Sequence, residues 1–119
     1  MLLSATKEID GSIRHHRIVL SQDPERTESH VQLALALQSR GEHEQSEHHL
    51  QQALKLDDDL PAIHVGLGRL YLETHRHAEA QSHLQRAISL LEARKGTGPE
   101  SDKLLELARG LLETSSATP

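Results

Sequence analysis

Apolar residues fall along this chain at spacings of three and four, the pattern of one helix face rather than of a half-buried strand. Val31, Leu33, Ala34 and Leu37 make the first clear run, and Leu50, Ala53 and Leu54 the next. Polar punctuation separates the runs. Asp23 suits a helix cap and Pro24 a first turn. Gly41 stands where glycine ends a helix, and a second helix continues to about Leu56. Asp57-Asp58-Asp59 breaks the chain, Pro61 opens a third helix ending near Thr74, and a fourth runs from about Arg76 to Arg94. "KGTGPE" is the clearest break. After it, Pro99, Glu100 and Asp102 open a last helix that carries Leu104, Leu105, Leu107, Ala108, Leu111 and Leu112. "ETSSATP" has the composition of a frayed tail. Upstream, residues 5–21 carry Ile9, Ile13, Val19 and Leu20, with Arg14, His15, His16 and Arg17 between them. The pattern predicts an all-α chain of about six helices.

The runs also repeat. At an offset of 34 residues His30, Val31 and Leu33 fall on His64, Val65 and Leu67, and His43 falls on His77. His49, Leu50 and Gln51 fall on His83, Leu84 and Gln85, and Ala53 and Leu56 fall on Ala87 and Leu90. Conservative matches join them: Ala34 with Gly68, Leu37 with Tyr71, Ser46 with Ala80, Leu54 with Ile88. The register holds without a gap over residues 27–90.

These residues resemble the tetratricopeptide repeat family, whose unit is a 34-residue helix–turn–helix. The match covers residues 23–91. It rests on Leu33, Ala34, Leu37, Ser46, Leu50 and Ala53 in one unit and Leu67, Gly68, Tyr71, Ala80, Leu84 and Ala87 in the next. His30 and His64 depart from it, standing where the family has a large apolar residue; Asp58 stands where it often has proline. The resemblance implies a right-handed superhelical stack of antiparallel helix pairs. Residues 1–22 would form a capping helix or degenerate half repeat, 23–60 and 61–94 the two units, 99–114 a C-terminal capping helix, and 115–119 a flexible tail. Two repeats alone leave outer faces bare, so the terminal helices would serve as the missing third unit.

Composition narrows the function. The chain has 119 residues and a net charge of −5 with histidine neutral, which argues against nucleic acid and anionic membrane. There is no cysteine, so thiol catalysis and thiolate metal sites are excluded. No stretch has signal-peptide or transmembrane character, and a cytoplasmic protein is expected. Tyr71 is the only aromatic residue, so leucine and alanine must fill the core. Gly66-Leu67-Gly68 begins like a phosphate loop, but it lies inside the helix opened by Pro61, without the preceding strand or following Lys-Ser/Thr pair.

The ten histidines are the other candidate chemistry. His43 with Glu47, Glu44 with His48, and His75 with Glu79 have the helical i, i+4 spacing of metal ligands, but each is only a pair. No catalytic constellation has recognisable spacing, so neither an enzyme nor a cofactor or metal site is expected. His43 and His77 near the starts of second helices, and His30 and His64 early in first helices, sit where positive charge is disfavoured. Acid is therefore expected to weaken the fold.

Function then rests on surfaces. In the family, the first helix of each unit lines a concave groove. Carried over, the lining is Glu28, Val31, Gln32, Leu35, Gln38 and Ser39, then Ala62, Val65, Gly66, Arg69, Leu72 and Glu73. The lysine–asparagine clamp that some members use for a terminal carboxylate is absent from these positions. The apolar stripe Val31, Leu35, Val65 and Leu72 points to a non-enzymatic module for an apolar or amphipathic segment of a partner protein. Alternatively the stripe is covered by the chain's own terminal helix or by a second copy, the chain being a self-association element or part of a larger repeat protein. A histidine-dependent metal-binding or pH-responsive role is the third option.

Overall fold

The computed structural model describes residues 2–94 and 98–117. Six helices account for the fold, with no strand among the described residues. They fall into two compact units, residues 1–58 and 59–119.

The first unit holds α1 (Leu2–Gln22), α2 (Thr27–Ser39) and α3 (His43–Leu56), with α2 packed against both others. Leu33 and Leu37 of α2 bury against Ile13 of α1, with Ile9, Leu20 and Ala36 around them. Ser46 of α3 is fully buried, and its hydroxyl donates to the Ala34 carbonyl at 2.8 Å.

The second unit holds α4 (Pro61–Glu73), α5 (His77–Glu92) and α6 (Pro99–Ala117). α5 packs on both α4 and α6, and α6 also reaches α4. Gly68 explains how closely α4 and α5 approach. A Cβ there would lie 2.5 Å from Leu84 Cγ and 2.6 Å from Leu84 Cδ2. The glycine is thus a packing residue inside a helix whose amides are bonded within it, and the phosphate-loop reading is excluded.

The two turns between paired helices are built alike. After α2, Glu42 N–H donates to Leu37 O at 2.9 Å and Gly41 N–H to Gln38 O at 3.0 Å, with Gly41 at φ 77°. After α4, Arg76 N–H donates to Tyr71 O at 2.7 Å and His75 N–H to Leu72 O at 3.2 Å, with His75 at φ 62°. Both are Schellman closures, which need one left-handed residue. Glycine meets that need without strain in the first turn, and histidine meets it at a steric cost in the second.

Three expected boundaries shift. α2 begins at Thr27, so Asp23 does not cap it. Asp23 instead accepts from Glu25 N–H at 3.3 Å and shapes the turn before the helix. α5 ends at Glu92 rather than Arg94. α6 runs to Ala117, past the expected end at 114, because Ser115 is buried and the backbone stays helical beneath it. Residues 118 and 119 of the expected tail lie outside the described residues.

Candidate partner-binding site

The expected lining lies on α2 and α4, and its side chains divide by burial. On α2, Glu28, Gln32 and Ser39 are exposed and Leu35 is half-buried. Val31 is only 3% exposed. Gln38 is 8% exposed, and neither its Nε2 nor its Oε1 bonds any described residue. A buried amide without partners carries a desolvation cost of about 1–3 kcal/mol.

On α4, Arg69 and Glu73 are exposed and form an i, i+4 ion pair, Nε to Oε1 3.5 Å. Leu72 and Ala62 are half-buried, and Gly66 is buried. Val65 is 5% exposed and packs into a core with Ala87 of α5 and Ala108 of α6, flanked by Ile88, Leu104 and Leu111. The expectation that Val65 lines an open surface is therefore corrected: the terminal helix covers it. Val31, at 3% exposed, likewise offers a guest almost no surface. The lining side chains that solvent reaches are Glu28, Gln32, Leu35 and Ser39 on α2 of the first unit and, separately, Ala62, Arg69, Leu72 and Glu73 on α4 of the second. They offer two aliphatic surfaces among exposed polar groups, and Arg69 arrives already paired.

Ring chemistry is concentrated elsewhere, in a constellation that sequence inspection missed. His30 of α2 and His49 of α3 face each other with Nδ1 atoms 3.1 Å apart. His64 of α4 and His83 of α5 do the same, also at 3.1 Å. Each pair spans 19 residues and occupies equivalent positions of its repeat, so the signal was present as a repeated spacing. His30 thus fills the family's large apolar position with a ring that packs on a second ring, centroids 5.3 Å apart. Burial, then the neighbouring His30, His48 and Arg17, push the His49 pKa down to about 4. Burial and His64 lower that of His83, against an opposing effect of Glu79. His16 of α1, whose Nδ1 lies 3.4 Å from Ser29 Oγ, is also lowered, by burial and His15, against Glu28. Among the described residues no group of three or more histidine or carboxylate side chains comes together that could hold a metal ion. No described helix is long and apolar enough to cross a membrane.

Comparison with known proteins matches this geometry to one family. A comparison with curated proteins gave no match. Among solved structures, the chain is similar to PcrH in complex with the chaperone binding region of PopD, at TM-score 0.81 and 19% identity, covering 96% of this chain and 83% of that one. It is similar to the type III secretion chaperone SycD of Yersinia enterocolitica in complex with a peptide of the translocator YopD, at TM-score 0.80 and 18% identity, covering 95% and 83%. It is also similar to the TPR2B domain of yeast Sti1 in its pHsp70 complex, at TM-score 0.70 and 16% identity, covering 89% and 86%. At these identities the likeness shows the fold. The tetratricopeptide repeat family model matches residues 25–93, well over half the chain. That match agrees with the 34-residue register, the Schellman turns and the Gly68–Leu84 approach, and the chain belongs to the tetratricopeptide repeat family.

Proposed function

We propose that this chain is a non-enzymatic protein-interaction module whose exposed α2 face in one unit and exposed α4 face in the other each offer, separately, a surface for an apolar or amphipathic segment of a partner protein. The observation that carries the reading is the surface of α2. Half-buried Leu35 stands there among exposed Glu28, Gln32 and Ser39, at helical spacing on one face. A guest brings apolar side chains that cover Leu35 and backbone polar groups for exposed Gln32. Within the second unit, α4 offers Leu72 as its own aliphatic contact, with the Arg69–Glu73 pair as a polar border. PcrH, SycD and the Sti1 domain, each solved with a partner segment, support a peptide as the guest class.

The test selects peptides from a random twelve-residue library on the immobilised protein, then measures one selected peptide by fluorescence anisotropy. The expected peptide carries spaced apolar residues. Its affinity should fall at least tenfold in Leu35→Glu/Leu72→Glu. Losing a Leu contact is worth about 1.5–3 kcal/mol, and about 1.4 kcal/mol is a factor of ten in Kd. An unchanged affinity in a variant that keeps its helical circular dichroism refutes the site. Conversion from dimer to monomer in the same variant, with no peptide selected, makes a second copy of the chain the guest.

A further inference from the structure

The paired rings carry an inference that goes beyond guest binding. The His30 Nε2–H donates to the Pro24 carbonyl at 2.8 Å, because a carbonyl can only accept. In neutral His30 the other ring nitrogen, Nδ1, is then a bare acceptor. It faces His49 Nδ1 at 3.1 Å, so His49 must supply the hydrogen. The space between the two nitrogens holds one hydrogen. A first added proton can be carried with that N–H···N bond intact, since a charged ring still donates to a neutral one. A second proton leaves two N–H groups opposed at hydrogen-bond distance with no acceptor. His64 and His83 repeat the arrangement, with rings tilted by 27°.

We propose that each repeat contains a histidine latch, His30–His49 and His64–His83, which ties its two helices through a single shared hydrogen and rejects a second proton, so that acid loosens both repeats.

The surroundings of each latch oppose further positive charge. At His49 the facing charges are Arg17 from α1 and His48 from α3, with His16 of α1 nearby on Ser29. At His83 the Tyr71 ring of α4 lies 5.7 Å away, capped by the Arg76 guanidinium 4.0 Å from its centroid. Glu79 is the one carboxylate that favours charge there, and it is already ion-paired to Arg76 at 2.9 Å. The charge pair that α6 makes on α5, Arg109–Glu92, lies nine residues along α5 from His83. The folded-state values of His49 and His83 are lowered, so their contribution to stability is complete above the unfolded value of about 6.5. It is lost as pH falls from there, and for His49 the loss continues to about 4. Unfolding in acid therefore binds up to one extra proton per latch, roughly a tenfold change in the unfolding constant for each latch between pH 7.5 and 5.5.

Two measurements test the proposal. Nitrogen-15 spectra of the ring nitrogens at pH 7.5 should show His30 protonated at Nε2 and bare at Nδ1, with His49 protonated at Nδ1. In the second pair one of the two Nδ1 atoms should be protonated. Bare Nδ1 atoms on all four rings overturn the latch, and this readout needs no variant to fold. The second measurement is urea unfolding between pH 7.5 and 5.5, with His49→Asn/His83→Asn as the comparison. Asparagine keeps a donor near the Nδ1 position but can turn its oxygen to a protonated partner, so nothing is rejected. The variant should lose roughly a hundredfold of the native chain's total change in unfolding constant between pH 7.5 and 5.5. Equal pH slopes in the two proteins overturn the proposal, as does simultaneous titration of both rings of a pair near 6.5 in the folded native chain.

Discussion

Replacing Gly68 by alanine should destabilise the second unit, although alanine is the better helix former. The new Cβ would sit 2.5 Å from Leu84 Cγ and 2.6 Å from Cδ2, about 1 Å inside the ordinary carbon–carbon separation of ~3.5–4.0 Å. Leu84 is fully buried and cannot swing into solvent. Either its rotamer or the α4–α5 spacing must yield, at about 1–3 kcal/mol. Better propensity returns about 0.8–1 kcal/mol, so the net loss is about 0–2 kcal/mol. Gly110→Ala in α6 of the same unit isolates the packing component, since no atom lies within 4 Å of its new Cβ. That variant should gain about 0.5–1 kcal/mol. The propensity contributions cancel between the two, so Gly68→Ala should be less stable than Gly110→Ala by about 1–3 kcal/mol. Urea unfolding followed by circular dichroism measures the difference through the midpoint shift. Equal stability, or a more stable Gly68→Ala, refutes the close approach of α4 and α5. Partial recovery in Gly68→Ala/Leu84→Val would confirm which side chain is crowded.

Leu50→Ala and Leu84→Ala each open a cavity at a fully buried site and should cost about 2–5 kcal/mol by the same assay. His75→Gly relieves the left-handed residue of the second Schellman turn and should raise stability by about 0.5–1 kcal/mol, while Gly41→His should lower it. Ser46→Ala leaves the Ala34 carbonyl without its side-chain donor and should cost about 1 kcal/mol. Arg69→Glu replaces an exposed i, i+4 ion pair with a like-charge pair and should cost less than about 1 kcal/mol of stability, while weakening an acidic guest.

Much of the fold was legible because the chemistry of its boundaries is local. Pro61 and Pro99 open helices, Gly41 closes one, and the 34-residue register places Leu33, Leu50, Leu67 and Leu84 in the core. The start of α2 was not legible, since Asp-Pro serves an Asx turn as readily as a helix cap. The site was less legible than the fold. Whether Val65 faces solvent depends on α6, which follows the "KGTGPE" break and lies outside the repeat register; no pattern on α4 reveals that Ala108 will cover it. The histidine pairs are a different case. Their shared spacing of 19 was in the sequence, but two rings on neighbouring helices meet only for one rotation of α2 against α3. The acid sensitivity expected from sequence was placed on histidines at helix starts, whereas the groups whose values are lowered by burial, His49 and His83, lie within α3 and α5.

The most direct test of the proposed working surface is to ask where a bound peptide lies. A photo-crosslinking amino acid is placed at exposed Gln32 on α2, at exposed Arg69 on α4, and at exposed Gln85 on α5 as the control. Each protein is illuminated with the same library-selected peptide and digested for mass spectrometry. Peptide adducts at position 32, at position 69 or at each, with none at 85, are the predicted result. Adducts at 85 alone would contradict the account and place the guest on the second helix of the repeat.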